Sequence, residues 1–411
     1  MSPSPQCLNC AQVERSLILD LGKTPLANAN LTDETLKAQE ASFPLELLYC
    51  ERCGLVQLSE IVPPEILFAD YLYMSGASST MVAHFHSLAR AHKKRFSLGA
   101  EDLVMEIASN DGTLLQGFAQ TGVRTLGIEP AENLVAIAKE KGIESVPRFF
   151  GRECAQELRR ERGPAALICG NNVLAHVPDL GGVLEGCRIV TEPEGVVSIE
   201  VPYLVHLIEG LEYDTIYHEH LSYFSVRALA DAFARAGLAI FDIEELPVHG
   251  GSLRVLARAG SEHAEIVERF RQSERERGLE DIATYQRFAQ AVAQNREELR
   301  GILQKLKKDG QRVAAYGAPA KGNTLLNYCG IGTDLVEYTV DRNPLKVGTY
   351  TPGMHLPVRQ TDHLLADRPD VTLILPWNIA PEIIDQQRGY VQKGGRFLIP
   401  IPKPHIHGEE A

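Results

Sequence analysis

The chain has 411 residues, enough for two or three domains, and its 44% hydrophobic and 23% charged content is that of an ordinary globular protein. A formal net charge of -13 and a pI of about 5.5 argue against a nucleic-acid partner but leave room for an anionic small substrate in a local cationic pocket. No window of about 18 consecutive apolar residues is present, so no membrane partner is expected. The opening Met1-Ser2-Pro3-Ser4-Pro5 lacks the basic and apolar regions of a signal peptide, so a cytoplasmic location is expected.

In chain order, the first elements are two Cys-x-x-Cys knuckles, Cys7/Cys10 and Cys50/Cys53. Four thiolates from two tight turns suit tetrahedral Zn²⁺ with no open position, hence a structural metal. A redox pair would need a thioredoxin-like βαβ setting, which is absent here. Residues 1–75 are therefore expected to form a small zinc-binding domain. The loop between the knuckles is long, so Leu17 to Leu48 must carry structure of its own. Cys154, Cys169, Cys187 and Cys329 are scattered, as small core residues are.

From 76 to 300 strand and helix alternate, and a connector helix ends the region. Strands are predicted at Leu103–Ile107, Thr125–Ile128, Ala166–Cys169 and Val196–Val201, with helices at Asn133–Lys141 and Leu180–Val190. That alternation means a parallel sheet covered on both faces. Ala239–Glu245 and Ser252–Ala259 read as two further strands at one edge. The first strand ends at Glu106, and the turn Ala108-Ser109-Asn110-Asp111-Gly112 follows; the second ends at Glu129-Pro130. This is half of a nucleotide-binding fold, with Glu129 placed to meet a ribose diol. The missing Gly-x-Gly-x-x-Gly points away from a dinucleotide and towards S-adenosylmethionine, which has no pyrophosphate to cradle. Asn171, Asn172 and His176 follow the third strand, on a loop that would face the methionine end; either asparagine can present an amide there, and His176 would touch the ligand or cap a helix. An ordinary βαβ unit is the plain alternative.

Two denser clusters follow. Tyr217-His218-Glu219-His220 sits beyond the strand ending at Val201, on the sheet edge where ligands bind. Histidine is the natural base near neutral pH, and tyrosine can donate to a developing oxyanion. Histidines two apart do not form the His-Glu-x-x-His zinc pattern. His249-Gly250-Gly251-Ser252 could let backbone approach a ligand closely, or be a plain turn. Arg271 to Asp281 is a charge run expected as a solvated helix face, ahead of helically spaced Ile282, Tyr285, Phe288 and Val292.

From 301 to 411 a second doubly wound Rossmann-like domain is expected. Its strands are predicted at Arg312–Tyr316, Leu335–Val340, Val371–Leu375 and Arg396–Pro400. The loop Gly317 to Asn323, with Ala318 and Lys321, joins a strand to the helix Thr324–Tyr328, a setting for anion binding. It is not a Walker A loop. Tyr316, Asn323 and Arg342 would face the same ligand. The fold class is thus α/β, with two doubly wound Rossmann-like domains and a small N-terminal zinc-binding domain.

Taken together, Cys-x-x-Cys, Cys-x-x-Cys-Gly, Glu-Ile-Ala-Ser-Asn-Asp-Gly, Gly-Ile-Glu-Pro, Asn-Val-Leu-Ala-His-Val-Pro-Asp, Tyr-x-x-Ile-Tyr-His-Glu-His, His-Gly-Gly-Ser and Tyr-Gly-Ala-Pro-Ala-Lys-Gly-Asn resemble the nucleotide-sugar C-3′-methyltransferases of deoxysugar biosynthesis, nearly end to end. The resemblance implies S-adenosylmethionine as methyl donor and a sugar nucleotide, dTDP-linked by preference, held between the last two domains. It implies His220 as base with Tyr217 and Glu219 assisting. Substrate contacts are expected from Tyr217, His218, His249, Gly250, Gly251, Ser252, Tyr316, Ala318, Lys321, Asn323 and Arg342, and a monomer is expected. O- or N-methylation and a non-catalytic sugar-nucleotide-binding protein are the alternatives.

Overall fold

The computed structural model describes residues 6–67, 74–77, 79–247 and 250–408. In the N-terminal region β1 (Ser16–Thr24), β2 (Phe43–Tyr49) and β3 (Val56–Leu58) form an antiparallel meander. In β2, Leu45, Leu47 and Tyr49 are buried while Glu46 and Leu48 are only partly so. A buried face of period two is what a one-sided antiparallel sheet requires. This meander is the structure carried between the knuckles.

The middle region holds β4 (Leu103–Ile107), β5 (Arg124–Ile128), β6 (Ser145–Val146), β7 (Ala165–Asn171), β8 (Thr191–Pro202), β9 (Ser222–Tyr223), β10 (Leu238–Leu246) and β11 (Ser252–Ala259). Seven of them make one sheet in the order β10-β11-β8-β7-β4-β5-β6. All five residues of β4 are buried, as expected for a parallel strand covered on both faces. The chain order reverses at β4, and the crevice there is where open α/β sheets bind ligands. The two edge strands run antiparallel, β11 against β8 and β10 against β11. Strand β9 leaves this sheet altogether. It pairs with β3, so the N-terminal sheet is completed by a strand from beyond position 220.

The C-terminal sheet is β12 (Val313–Tyr316), β13 (Thr339–Asp341), β14 (Val358–Gln360), β15 (Val371–Ile374), β16 (Arg396–Ile399) and β17 (His405–Ile406), in the order β14-β13-β12-β15-β16-β17. The strand expected over Leu335–Val340 is shorter. Leu335 and Val336 are buried, but both donate their amides to the Gly332 carbonyl in a turn. An apolar run alone does not separate a buried turn from a strand.

The segment between the two α/β regions is more than a connector. Its helices are Glu265–Glu276 and Ile282–Lys308, and the second runs through the boundary expected at 300. Tyr285 stacks on Tyr49 of β2, with centroids 4.7 Å apart. Asn295 accepts from the Tyr213 hydroxyl at 2.8 Å and donates to the carbonyls of Pro400 and Pro402. The charge run is not wholly solvated either. Glu274 is 1% exposed, and its carboxylate accepts from the amides of Val226 and Arg227 and from the Tyr203 hydroxyl.

Candidate active site

The zinc knuckles are near copies. In each, the residue after the second cysteine adopts positive φ (Ala11 at 57°, Gly54 at 80°) and its amide donates back to the first cysteine's carbonyl. That turn points both thiols of a knuckle the same way. The four Sγ atoms of Cys7, Cys10, Cys50 and Cys53 lie within 4.8 Å of one another, and all four residues are buried. The hydrogen bond between Cys7 and Cys53 pulls the Cys7 thiol down and pushes the Cys53 thiol up, and burial raises Cys10, so these sulfurs share their protons as one group. Four convergent buried sulfurs and no carboxylate fit zinc.

The candidate methyl-donor site lies at the C-terminal ends of β4, β5 and β7. Ala108, Asn110 and Gly112 all have positive φ, at 51°, 53° and 74°. The loop therefore adopts a backbone that glycines would take freely, although two of the three positions are not glycine; such strain collects at ligand sites. Glu129 Oε2 accepts from the Asn110 amide and Oε1 from the Ala131 amide, both at 2.9 Å. This fixes the carboxylate beside the loop and leaves lone pairs to accept from a diol. Burial pushes Glu129 above the usual carboxylate range, against those two amides. Pro130 follows directly and begins the turn into helix Glu132–Glu140. Glu106 is 5% exposed, its carboxyl is pushed well up by burial, and its Oε2 has no hydrogen-bond partner among the described residues. A buried carboxyl with one oxygen unpartnered among the described residues fits a bound polar group such as an amino group or hydroxyl of the nucleoside. Asn172, at φ 54°, likewise leaves Oδ1 without a partner there, while its backbone N–H donates to the Glu200 backbone carbonyl. The neighbouring Asn171 side chain offsets part of Glu106's burial. These groups fit S-adenosylmethionine.

Sequence reasoning missed what covers this loop. The Ser75 amide donates to Asn110 Oδ1 and the Gly76 amide to Asp111 Oδ2, and Lys141 Nζ pairs with Asp111 at 2.6 Å. Only tertiary contacts reveal these, since nothing in Ser75-Gly76 is itself a ligand type.

The tyrosine-histidine cluster sits between the helix Leu204–Glu209 and β9. Backbone bonds clamp it from two sides: Leu221 donates to the Ala175 carbonyl, and Leu58 of β3 donates to the Leu221 carbonyl. His220 Nδ1 lies 2.9 Å from the Thr215 carbonyl, which can only accept. In the neutral ring the proton is therefore on Nδ1, and Nε2 is the basic nitrogen. The Tyr217 hydroxyl lies 2.9 Å from that Nε2 and donates to it. His176, grouped from sequence with the methyl donor, packs edge-on to His220 with centroids 4.9 Å apart. Burial pushes its imidazole down to about 4, so at neutral pH it adds no positive charge beside His220. Glu219 points elsewhere. Both its oxygens accept from Asn28 Nδ2 at 2.8 Å, and burial raises its carboxyl to about 7.

Several expected substrate contacts are turned towards the protein itself. His218 is 1% exposed; its Nε2 meets the Pro44 carbonyl at 3.1 Å and its ring packs on Phe43. Gly250 and Gly251 have φ of 89° and 124°, and a Cβ there would strike the Glu212 carboxylate and the His206 ring. The close approach these glycines allow is to their own chain. Ser252 is fully buried at the start of β11, and His249 lies outside the described residues. Ala318 donates its amide to Asp341 and its carbonyl accepts from Lys346 Nζ. Asn323 is buried and donates to the Ala27 carbonyl. Tyr316 packs among Ala380 and Ile383, on the sheet face away from helix Ala320–Cys329, and Arg342 reaches Gln386. Tyr316 thus lies on the other sheet face from the helix that carries Lys321. Lys321 Nζ lies over the Trp377 ring at 4.1 Å, bonds to Asn378 and stands 3.8 Å from buried Asp214. Trp377, which donates to Asp214 at 2.7 Å, and Lys346 were not anticipated.

Among the described residues no helix is long and apolar enough to cross a membrane. Three family models match in succession: a "Putative zinc binding domain" over residues 7–68, a methyltransferase domain over 81–243 and a C-methyltransferase C-terminal domain over 247–402. The chain is 36% identical over 412 residues to C-methyltransferase NovU of Streptomyces niveus, spanning 100% of this chain and 98% of that one. A ubiquinone biosynthesis O-methyltransferase of Leptothrix cholodnii is 30% identical over 99 residues, 23% of this chain and 42% of the relative. A solved S-adenosylmethionine-dependent methyltransferase from Clostridium acetobutylicum aligns at 12% identity with a TM-score of 0.36, covering 48% of this chain and 95% of that one. The full-length identity with NovU and the three successive matches show that the chain belongs to the S-adenosylmethionine-dependent C-methyltransferases that carry an N-terminal zinc-binding domain.

Proposed function

We propose that the enzyme methylates C-3′ of a nucleotide-linked 4-keto-deoxysugar, dTDP-linked by preference, acting as a cytoplasmic monomer. The observation that carries this reading is the Tyr217–His220–Thr215 chain of hydrogen bonds, which leaves one basic nitrogen, Nε2, next to one hydroxyl. Methylating carbon requires a carbanion equivalent. A 4-keto group supplies it, because the adjacent C–H bond is acidified by the carbonyl. His220 Nε2 takes the C-3 proton, and the electron pair moves to the C-4 oxygen. The Tyr217 hydroxyl turns from Nε2 to that oxygen and stabilises its charge, freeing the lone pair at the moment it is used. Neutral His176 beside the newly charged His220 avoids a like-charge clash. S-adenosylmethionine supplies an already activated methyl group. Glu106, Glu129, Asn110 and Asn172 hold it. Lys321, held over the Trp377 ring and close to Asp214, is the cation for the nucleotide's phosphates.

The test is turnover of dTDP- and GDP-4-keto-deoxysugars with S-adenosylmethionine, with the methyl carbon assigned by NMR. His220→Asn should cost more than about 10²-fold in kcat with donor affinity unchanged by calorimetry. Tyr217→Phe should cost about 10²-fold and slow exchange of the C-3 proton with solvent deuterium as well, since both pass through the same enolate. A methyl group on oxygen or nitrogen, or near-normal turnover in His220→Asn, would sink the assignment.

A further inference from the structure

The zinc-binding region does not stand apart from the site. Its turn at Ala27-Asn28 enters the space between the other two regions. Asn28 donates through Nδ2 to both oxygens of Glu219 at 2.8 Å. The same turn is gripped from behind, where Asn323 Nδ2 donates to the Ala27 carbonyl at 2.7 Å. Next to Asn323, Thr324 donates to the Ile216 carbonyl, one residue before Tyr217. Further along, Leu31 and Tyr350 exchange backbone hydrogen bonds at 2.9 and 2.8 Å, and Asn30 bonds to Thr349. Lys346, in that same C-terminal segment, donates to Ala318 and is the cation whose field reaches Glu219. So the arm of the zinc-binding region, the helix Ala320–Cys329 and the Tyr217–His220 loop are tied at one point.

We propose that Asn28 is a positioning residue of the active site: the zinc-binding region uses it to fix the carboxylate of Glu219, the residue that precedes His220 in the chain. The inference rests on the proposed C-methylation and on the assisting role that the family resemblance implies for Glu219. Its chemistry is direct. Glu219 is 5% exposed. Without donors a buried carboxylate takes up a proton and swings to any donor it can reach. One amide nitrogen shared between both oxygens holds it in one plane and favours its charged form. The charged groups acting on it are Lys346, which favours ionisation, and beyond Lys346 the carboxylate of Asp341. Asn28 itself is exposed on its turn, so its side chain is not needed for the core.

The experiment uses the full-length, zinc-loaded enzyme as Asn28→Ala, Asn28→Asp, Glu219→Gln and the Asn28→Ala/Glu219→Gln double variant. Glu219 is titrated by carbon NMR of glutamate-labelled protein, identified by its loss in Glu219→Gln, and kcat and KM are measured against pH with a dTDP-4-keto-deoxysugar. Asn28→Ala should keep its zinc and its melting temperature, raise the Glu219 titration by about one pH unit, and lower kcat about ten-fold with KM little changed. Asn28→Asp should raise the titration further, and the double variant should be no slower than Glu219→Gln. An unmoved titration in Asn28→Ala overturns the proposal whatever the substrate proves to be. A moved titration with unchanged kcat, where Glu219→Gln is impaired, also overturns it and leaves the assignment of Glu219 intact. Wild-type turnover by Glu219→Gln removes that assignment and the inference with it.

Discussion

Ala108 and Asn110 stand in left-handed backbone, where a glycine would be strain-free. The loop thus takes a backbone shape that glycines adopt freely without showing a glycine signature. Glu129 then secures it by accepting from Asn110, a bond that no spacing rule announces. Glu212 has a different consequence at this scale. Burial raises its carboxyl from the usual 4.5 to about 7; Lys321 opposes this and Asp214 adds to it. The native state therefore keeps a proton that the unfolded chain releases near 4.5. Its contribution is fully present below that value and is lost as pH rises towards about 7. Glu212→Gln cannot lose it. The variant should gain on the wild type between pH 5 and pH 8 by about 2 kcal/mol, read as the difference in their melting temperatures across that range. A constant difference would show that Glu212 titrates normally.

Among elements, the helix Val226–Arg235 depends on a distant carboxylate. Ser225 caps it by accepting from Ala228, as a sequence reader would expect of a serine there. Its first two amides, Val226 and Arg227, go to Glu274, nearly fifty residues later, inside a run that looks solvated. Glu274→Ala would leave those two amides and the Tyr203 hydroxyl buried without an acceptor. The expected loss is about 3 kcal/mol, seen as an apparent melting temperature lower by about 5 °C or more. A shift within a degree would mean that water replaces the carboxylate. The helix Ile282–Lys308 was legible through its spaced apolar residues. Its reach from Tyr49 to Pro402 was not, because helical periodicity reports a buried face and not what buries it.

For the whole molecule, the zinc cluster should govern more than its own fold. It holds the meander whose β3 pairs with β9, two residues after His220, and whose arm delivers Asn28. Chelating the metal, or replacing Cys50 with Ser, should release about one zinc per chain. Methyl transfer should fall with it, while S-adenosylmethionine still binds to the seven-stranded sheet. Zinc loss is read by mass spectrometry and donor binding by calorimetry. Full turnover without zinc would reduce the cluster to a local staple.

The strands from Leu103 to Val201, the four cysteines and the Tyr217–His220 cluster were readable because each rests on local chemistry: an apolar period, a ligand spacing, a run of titratable side chains. The inward turn of His218 and Asn323, the partners of Gly250 and Gly251, and the parting of Tyr316 from Lys321 were not. A side chain's direction depends on which face of which sheet its backbone joins, and β9 joins a sheet assembled from residues more than 160 positions earlier. Residue types and spacing determine which chemistry the chain carries. Long-range pairing decides which of those groups meet, because a hydrogen bond such as Asn28 to Glu219 joins residues 191 positions apart, which no local pattern reports.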